Sequence, residues 1–172
     1  HIVGRYDGAN VSLFFDGARV GDTARTGALQ DPNSTDVIVG RVNSGVDLYY
    51  NGTMDELKIW NRSLSEAEIA NEYQMIYYGA LEREPINGTP APENPVAVWH
   101  FEDNQTTATR AYDYFGDHNS DATNATRTAG ILKTLGFSFN GINQSIITNH
   151  SQALNITENF SISGFPNPFK KM

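Results

Sequence analysis

The sequence predicts an all-β protein: an antiparallel β-sandwich of the jelly-roll kind with one short helix. Short apolar runs recur along the chain, residues typical of turns separate them, and helices do not alternate with the strands as a parallel fold would require. The 172 residues are 39% hydrophobic, which is enough to build a packed core. The chain has no cysteine, so disulfides and thiolate metal sites are excluded.

The predicted strands lie between clusters of turn residues. Apolar side chains alternate from Val11 to Phe15, and Asp16-Gly17 then supplies residues that tolerate the positive φ of a tight hairpin. The other predicted strands cover residues 37–39, 57–60, 96–101, 135–139, 145–148 and 160–165. Residues 113–129 are polar, and we expect a loop there.

One helix is predicted from a local signal. Ser65 and Glu68 have the spacing of a capping box, in which each side chain bonds to the backbone N–H of the other residue. Leu64 and Ile69 flank this box as a hydrophobic staple. We therefore expect a helix over about residues 66–78, ending at the glycine that follows.

The chain divides into two strand-rich parts around a linker. Residues 80–95 hold four of the seven prolines and almost no residues that could pack, which is typical of a semi-extended linker. Residues 1–79 and residues 96–169 each carry the short apolar runs of a sandwich. Both ends of the chain break off where further strands are expected, which suggests a segment of a longer protein.

The two parts resemble halves of the same family. Residues 52–69, GTMDELKIWNRSLSEAEI, follow VGRYDGANVSLFFDGARVGDT and VIVGR in the order seen in the second half of a laminin G-like, concanavalin A-like lectin/glucanase module. Residues 96–165, with VAVWHFED, YDYFGDHNSDAT, LGFSFNGINQSIIT and LNITENFSISGF, resemble the first half of such a module. The resemblance implies the back half of one module, then the front half of the next.

Two arrangements are compatible with this order. The sequence could be a window across two tandem modules, or its halves could pack together as a circularly permuted sandwich. An isolated half-sandwich would leave an apolar sheet face and an edge bare. We therefore expect the two parts to pack together.

The resemblance implies a structural calcium site. In the glucanase branch, a late-strand aspartate meets main-chain oxygens near the first strand and near a Phe-x-Gly turn; the matching positions here are Asp55, His100 and Gly141. Calcium prefers such an all-oxygen shell. The alternative is that Asp55 accepts bonds from backbone N–H groups and binds no ion.

A ligand-binding site is predicted at Tyr49, Tyr50 and Asn51. The two tyrosines precede the Asn51-Gly52 turn in what reads as a loop, and sugars stack on aromatic faces beside amide groups. Packing of these rings inside the protein is the alternative.

The residues favour binding over catalysis. Twelve Lys and Arg against twenty Asp and Glu give a net charge of -8 without basic clusters, so we expect neither nucleic acid partners nor membrane insertion. Asp55 and Glu56 are adjacent, whereas glycosidases need two carboxylates across the sugar, so we expect no enzyme activity.

We therefore expect a non-catalytic, extracellular binding or adhesion module of a larger protein, recognising carbohydrate or an extracellular protein. The alternatives are an architectural spacer or the accessory domain of a glycoside hydrolase. Eleven Asn-x-Ser/Thr tripeptides also occur, as glycosylation signals of an extracellular chain or as chance products of its composition.

Overall fold

The computed structural model describes most of the chain: residues 1–27, 36–43, 47–78, 94–101, 109–115, 118–130, 135–149, 151, 154 and 156–168. The strands are β1 (Ile2–Tyr6), β2 (Asn10–Phe15), β3 (Ala18–Ala24), β4 (Val37–Val39), β5 (Arg41–Asn43), β6 (Asp47–Tyr49), β7 (Asn51–Trp60), β8 (Ala97–Trp99), β9 (Arg110–Ala111), β10 (Ser120–Thr123), β11 (Thr126–Thr128), β12 (Gly136–Asn140), β13 (Ser145–Thr148) and β14 (Phe160–Pro168), and the helix is α1 (Glu66–Tyr78). These antiparallel sheets with a single helix in the described part of the chain confirm the predicted all-β sandwich class.

The chain forms two compact units. The first contains residues 1–31, 58–96 and 156–164, and the second contains residues 32–57, 97–155 and 165–172. Each unit therefore takes residues from both sides of the predicted linker. Of residues 80–95, only the last two lie within the described part of the chain.

The first unit is built on a sheet in the order β14-β1-β2-β3. Ile2 pairs with both Gly164 and Phe15, so β1 lies between the last strand of the chain and its own hairpin partner. Alternate side chains of β1 and β2 face inward, which brings Val3 and Phe14 into a core with Trp60, Leu64 and Ile69. All five of these core side chains are at most 1% exposed.

Helix α1 begins and ends as the sequence predicts. The backbone N–H of Glu68 donates to the Ser65 hydroxyl at 3.2 Å, and the backbone N–H of Ser65 donates to the Glu68 carboxylate at 2.9 Å. Leu64 and Ile69 are both fully buried, as a hydrophobic staple requires. Arg62 adds a 2.8 Å bond to the same carboxylate.

The second unit contains three groups of strands. Strands β11, β12 and the start of β7 pair in that order, β4-β13-β10-β9 form a four-stranded sheet, and β5 pairs with β6. Its largest fully buried side chains are aromatic: Trp99, Phe101, Phe137 and Phe139. Phe101 and Phe137 meet edge to face at 5.1 Å between ring centroids.

Strands from the two parts of the sequence pair with each other, as we expected. Within the first unit, β1 pairs with β14; within the second, β12 pairs with β7 and β13 pairs with β4. The strand edges that each part would leave open alone are therefore paired with strands of the other.

The expectation of a loop over residues 113–129 is wrong. Strands β10 and β11 lie in this segment, and β10 pairs with both β9 and β13. Buried and exposed side chains do alternate along β10, since Ser120 and Ala122 are buried whereas Asp121 and Thr123 are exposed, but the buried ones are small. A search for large apolar side chains therefore misses the strand.

Candidate functional site

The hairpin of β5 and β6 forms one wall of a pocket in the second unit. Arg41 is paired with Tyr49 and Val42 with Leu48, and paired residues of antiparallel strands extend to the same face of the hairpin. Val42 and Leu48 are 50% and 60% exposed, so this apolar pair is open to solvent.

The pocket has a volume of about 320 Å³. Its lining residues are Gly40, Arg41, Val42, Leu48, Tyr49, Tyr50 and Met54. This volume is at the lower end of the range for small-molecule sites. The lining is mostly apolar with two phenol groups and one guanidinium, which is typical of such sites.

Gly40 fixes the floor of the pocket. Its φ of +90° is in the left-handed region, and a Cβ at this position would lie 2.5 Å from a carbon of the Phe139 ring. The Gly40 carbonyl accepts a 2.8 Å bond from the backbone N–H of Tyr50. Phe139 in turn meets the Tyr50 ring edge to face at 5.9 Å, so Gly40 lets β4, β12 and Tyr50 approach closely.

Tyr50 is partly structural. Its hydroxyl donates to the Thr53 carbonyl at 3.1 Å, which holds the ring against Phe139. Burial raises the pKa of this phenol, against the opposing effect of a hydrogen bond with the Asn167 backbone. The ring is therefore a fixed, neutral surface.

The three residues predicted to bind a ligand do not all line the pocket. Tyr49 and Tyr50 do, although Tyr49 belongs to strand β6 and not to a loop. Asn51 is outside the lining: it is exposed, pairs with Asn140 at the start of β7, and lies against Gly141. Sequence reasoning missed Arg41, because the register that places it beside Tyr49 becomes visible only once β5 and β6 are paired.

The predicted metal ligands are not brought together. Asp55 is fully buried and lies beside Gly130 and Gly136, whereas Gly141 lies beside Asn51. Asp55 lies four residues after Asn51, a distance of about 13 Å along β7. The part of the second sequence half that reaches Asp55 is therefore the segment around Gly136 and not the turn at Gly141.

His100 contacts the residue next to Asp55. Its Nδ1 lies 2.8 Å from the carboxylate of Glu56, which is only 3% exposed. Glu56 has a φ of +51°, which interrupts the strand alternation, so Asp55, Glu56 and Leu57 are all buried in succession. The backbone N–H of Glu56 donates to Asp55 Oδ1 at 2.9 Å.

A second buried polar group has the connectivity of a serine–histidine–aspartate relay. The Ser151 hydroxyl lies 2.8 Å from His118 Nε2, and His118 Nδ1 lies 3.3 Å from Asp113 Oδ2. The aspartate also accepts backbone bonds from Val98 at 2.7 Å and from His118 at 3.3 Å. The His118 side chain is only 4% exposed and Ser151 is half-buried, and the group ties three segments of the chain together.

Two properties of the described residues bear on the predicted site classes. No group of three or more His, Asp or Glu side chains among them is placed to hold a metal ion. No helix in the described part of the chain is long and apolar enough to cross a membrane.

Comparison with known families agrees with the fold and with the resemblance seen in the first part of the sequence. Residues 1–70 match a laminin G-type family model, described as the concanavalin A-like lectin/glucanases superfamily. No curated protein and no solved structure matches the chain. The family match supports a carbohydrate- or partner-binding module as the general function.

Proposed function

We propose that this chain is a non-catalytic, extracellular recognition module of a larger surface or secreted protein, and that it binds carbohydrate in the pocket beside Tyr49. The observation that carries the proposal is the pocket itself: a concavity of about 320 Å³ with two tyrosines on a fixed floor. Sugars present apolar C–H faces that stack on aromatic rings and hydroxyls that bond to phenols.

Tyr49 is the residue to test, because Tyr50 also supports the fold. The expected result of Tyr49→Ala is a loss of glycan binding of about tenfold or more, since stacking area disappears while β5 and β6 can still pair. Binding is measured with the full chain on a glycan array and then by calorimetry. The matched control is Tyr114→Ala, which removes a 70% exposed tyrosine outside the pocket lining.

An architectural spacer is the competing function. A spacer should bind neither the sugars of a glycan array nor matrix proteins. Tyr49→Ala and the native chain should then give the same result in both binding assays. Binding of an extracellular protein that Tyr49→Ala leaves unchanged would contradict the proposed site.

The absence of catalysis is part of the proposal. Asp55 and Glu56 are both buried, Glu56 bonds to His100, and neither carboxylate lines the pocket. Glycosidases need two carboxylates that reach the sugar from opposite sides. Incubation with polysaccharides should release no reducing ends. If the chain is the accessory domain of a glycoside hydrolase, its own activity is nil and it raises that of the attached enzyme.

Structural calcium at Asp55 is a further part of the proposal. Asp55 Oδ2 and the carbonyl oxygen of Leu135 both lie close to the position that a Cβ of residue 130 would occupy. Because residue 130 is a glycine and has no side chain there, the two oxygens can converge beside it. Such oxygens suit calcium. His100 and Gly141 are the other residues that the resemblance implies; His100 reaches this region through Glu56 and Gly141 does not reach it.

Calcium bound only by the native state should raise the melting temperature by mass action. We expect the rise at millimolar calcium to disappear in Asp55→Asn and to persist in Asp22→Asn, whose carboxylate is exposed. Identical melting curves in calcium and in chelator would show that backbone donors alone satisfy Asp55.

Extracellular residence is supported by the exposure of the glycosylation signals. Five of the tripeptides in the described part of the chain have an exposed asparagine: Asn51, Asn61, Asn124, Asn143 and Asn149. Glycans require surface positions. Expression through a eukaryotic secretory pathway should therefore yield a chain whose mass falls on treatment with an amidase that removes N-glycans.

A further inference from the structure

Three aromatic side chains form an exposed cluster in the second unit: His100, Tyr114 and Phe115. The Tyr114 ring lies 5.4 Å from the Phe115 ring and 5.5 Å from the His100 ring, measured between centroids. Tyr114 is 70% exposed, Phe115 is 52% exposed, and the His100 side chain is 34% exposed. A contiguous group of exposed rings indicates an interaction site, whereas a single exposed ring needs no such explanation.

The cluster is anchored at both of its segments. The backbone N–H of Tyr114 donates to the Val98 carbonyl at 2.7 Å, and the backbone N–H of Val98 donates to the Asp113 carboxylate, also at 2.7 Å. His100 is held through its Nδ1, which lies 2.8 Å from a carboxylate oxygen of Glu56. Groups that are already positioned lose little conformational freedom on binding, which favours recognition of a partner.

The angles between the rings favour a compact ligand over a flat one. The Phe115 ring stands at 81° to the Tyr114 ring, and the His100 ring stands at 83° to it. Neither neighbour extends the plane of Tyr114, so the cluster is not a flat platform for a row of sugar rings. Two rings at right angles instead form a corner, where one small group can contact the faces of both.

Charge indicates which small group fits this corner. The face of an aromatic ring is the negative pole of its quadrupole, so it attracts ammonium and guanidinium groups. The carboxylate of Glu56, which is 3% exposed, lies against the His100 ring, and the whole chain carries a formal charge of -8. The same segment already contains a pair of this kind, because the Arg110 guanidinium lies 5.5 Å from the centroid of the Tyr112 ring.

We infer that the cluster docks a basic segment of a partner protein, with an arginine side chain in the corner beside Tyr114. A guanidinium is planar and stacks on aromatic faces, which makes arginine the best fit among cationic side chains. None of the three rings lines the pocket beside Tyr49, so the inference does not depend on sugar binding.

The test is calorimetry on the full chain with two matched peptides. One peptide alternates glycine and arginine, and the other has citrulline, a neutral isostere, at every arginine position. At about 150 mM salt, charges more than about 8 Å apart are largely screened, which limits attraction by the net charge alone. We expect the arginine peptide to bind about fivefold or more tightly than the citrulline peptide.

Two variants of Tyr114 separate a cation–π contact from an apolar one. Tyr114→Leu keeps apolar surface without a π face, and it should lower the affinity for the arginine peptide to about that for the citrulline peptide. Tyr114→Phe keeps the ring and should change the affinity less than about twofold. Tyr49→Ala, which removes a tyrosine outside the cluster, is the control and should leave peptide binding unchanged. Melting curves for each variant establish that the fold is retained.

Three results would overturn the inference. If Tyr114→Leu retains the preference for arginine, the net charge and not the cluster attracts the peptide. If the two peptides bind equally, or neither binds, the cluster does not dock a basic segment. Both of these results leave the carbohydrate pocket untouched. If Tyr114→Ala weakens glycan binding and Tyr114→Leu leaves peptide binding unchanged, the cluster is a sugar-binding surface instead.

Discussion

Gly40 occupies a position that both the backbone and the packing restrict to glycine. Its φ of +90° disfavours any side chain, and a Cβ would overlap the ring of Phe139. Since Phe139 supports Tyr50, a change at Gly40 would disturb the pocket as well as the core. Stability and binding are therefore coupled at this residue.

We expect Gly40→Ala to lower the free energy of unfolding by about 2–4 kcal/mol, because left-handed strain and overpacking add. Gly4→Ala is the matched control: a Cβ there meets nothing within 4 Å, and its φ is not in the left-handed region. Urea unfolding followed by fluorescence compares the two. Equal midpoints for both variants would contradict the described packing at Phe139.

At the residue scale, sequence reasoning recognised the tyrosines but not their neighbours. Tyr49 and Tyr50 stand out by chemistry alone, whereas Arg41 acquires meaning only from its register with Tyr49. Asp55 was recognised as a residue that needs partners, and it is fully buried. Its neighbours could not be predicted, because the register of β12 on β7 depends on pairing across more than 80 residues.

Helix α1 was the most predictable element, because its start is encoded within eight residues, 62–69. The capping box, the staple and Arg62 all act on the first turn, where exposed backbone N–H groups need acceptors. The hydrogen bond from Arg62, together with bonds from Ser65, holds the pKa of the Glu68 carboxyl below its usual value.

Strand β10 was missed because its inward residues are small.

The lowered pKa of Glu68 gives a prediction with a definite sign. A carboxyl whose pKa is lower in the folded state stabilises the fold above its unfolded pKa, and this contribution is lost as pH falls through the folded value. Glu68→Gln keeps a side chain that can still cap, but loses the charge. We expect it to cost about 0.5–1 kcal/mol at pH 7.

The difference between the native chain and Glu68→Gln should shrink as pH falls below about 4.5, the ordinary value for the carboxyl, because the pKa in the folded state is lower. Unfolding free energies of both proteins on both sides of this pH provide the measurement, since all other groups titrate in both. A difference that does not shrink at any acidic pH at which both proteins still fold would argue against the Arg62 and Ser65 bonds as its source.

At the scale of the whole molecule, the division of the sequence differs from the division of the structure. The sequence shows two strand-rich parts and a proline-rich linker, whereas each compact unit contains strands from both parts. Local turn signals predict strands well but carry little information on which distant strands pair. The class of fold was therefore predictable, and the sheet order was not.

This exchange of strands predicts that the two parts complement each other. Residues 1–79 and 80–172, expressed as separate polypeptides, should each fail to fold alone, because β1, β4 and β7 lose β14, β13 and β12. Co-expression should restore a soluble one-to-one complex, detected by co-purification and circular dichroism. A first fragment that melts cooperatively without its partner would contradict the pairing.

The pairing of Ile2 with Gly164 also sets the order of events during synthesis. The hairpin of β1 and β2 is complete within the first 15 residues, but the neighbour of β1 emerges 162 positions after Ile2 (164 minus 2). At ribosomal rates of about 5–20 residues per second, that interval is roughly 10–30 s. Until then β1 has an open edge on the side away from β2, and Leu13 and Phe15 of β2 remain about half exposed even in the finished fold. The hairpin of β1 and β2 is thus most prone to aggregation before β14 is made, and a chaperone that shields this hairpin would act in that interval.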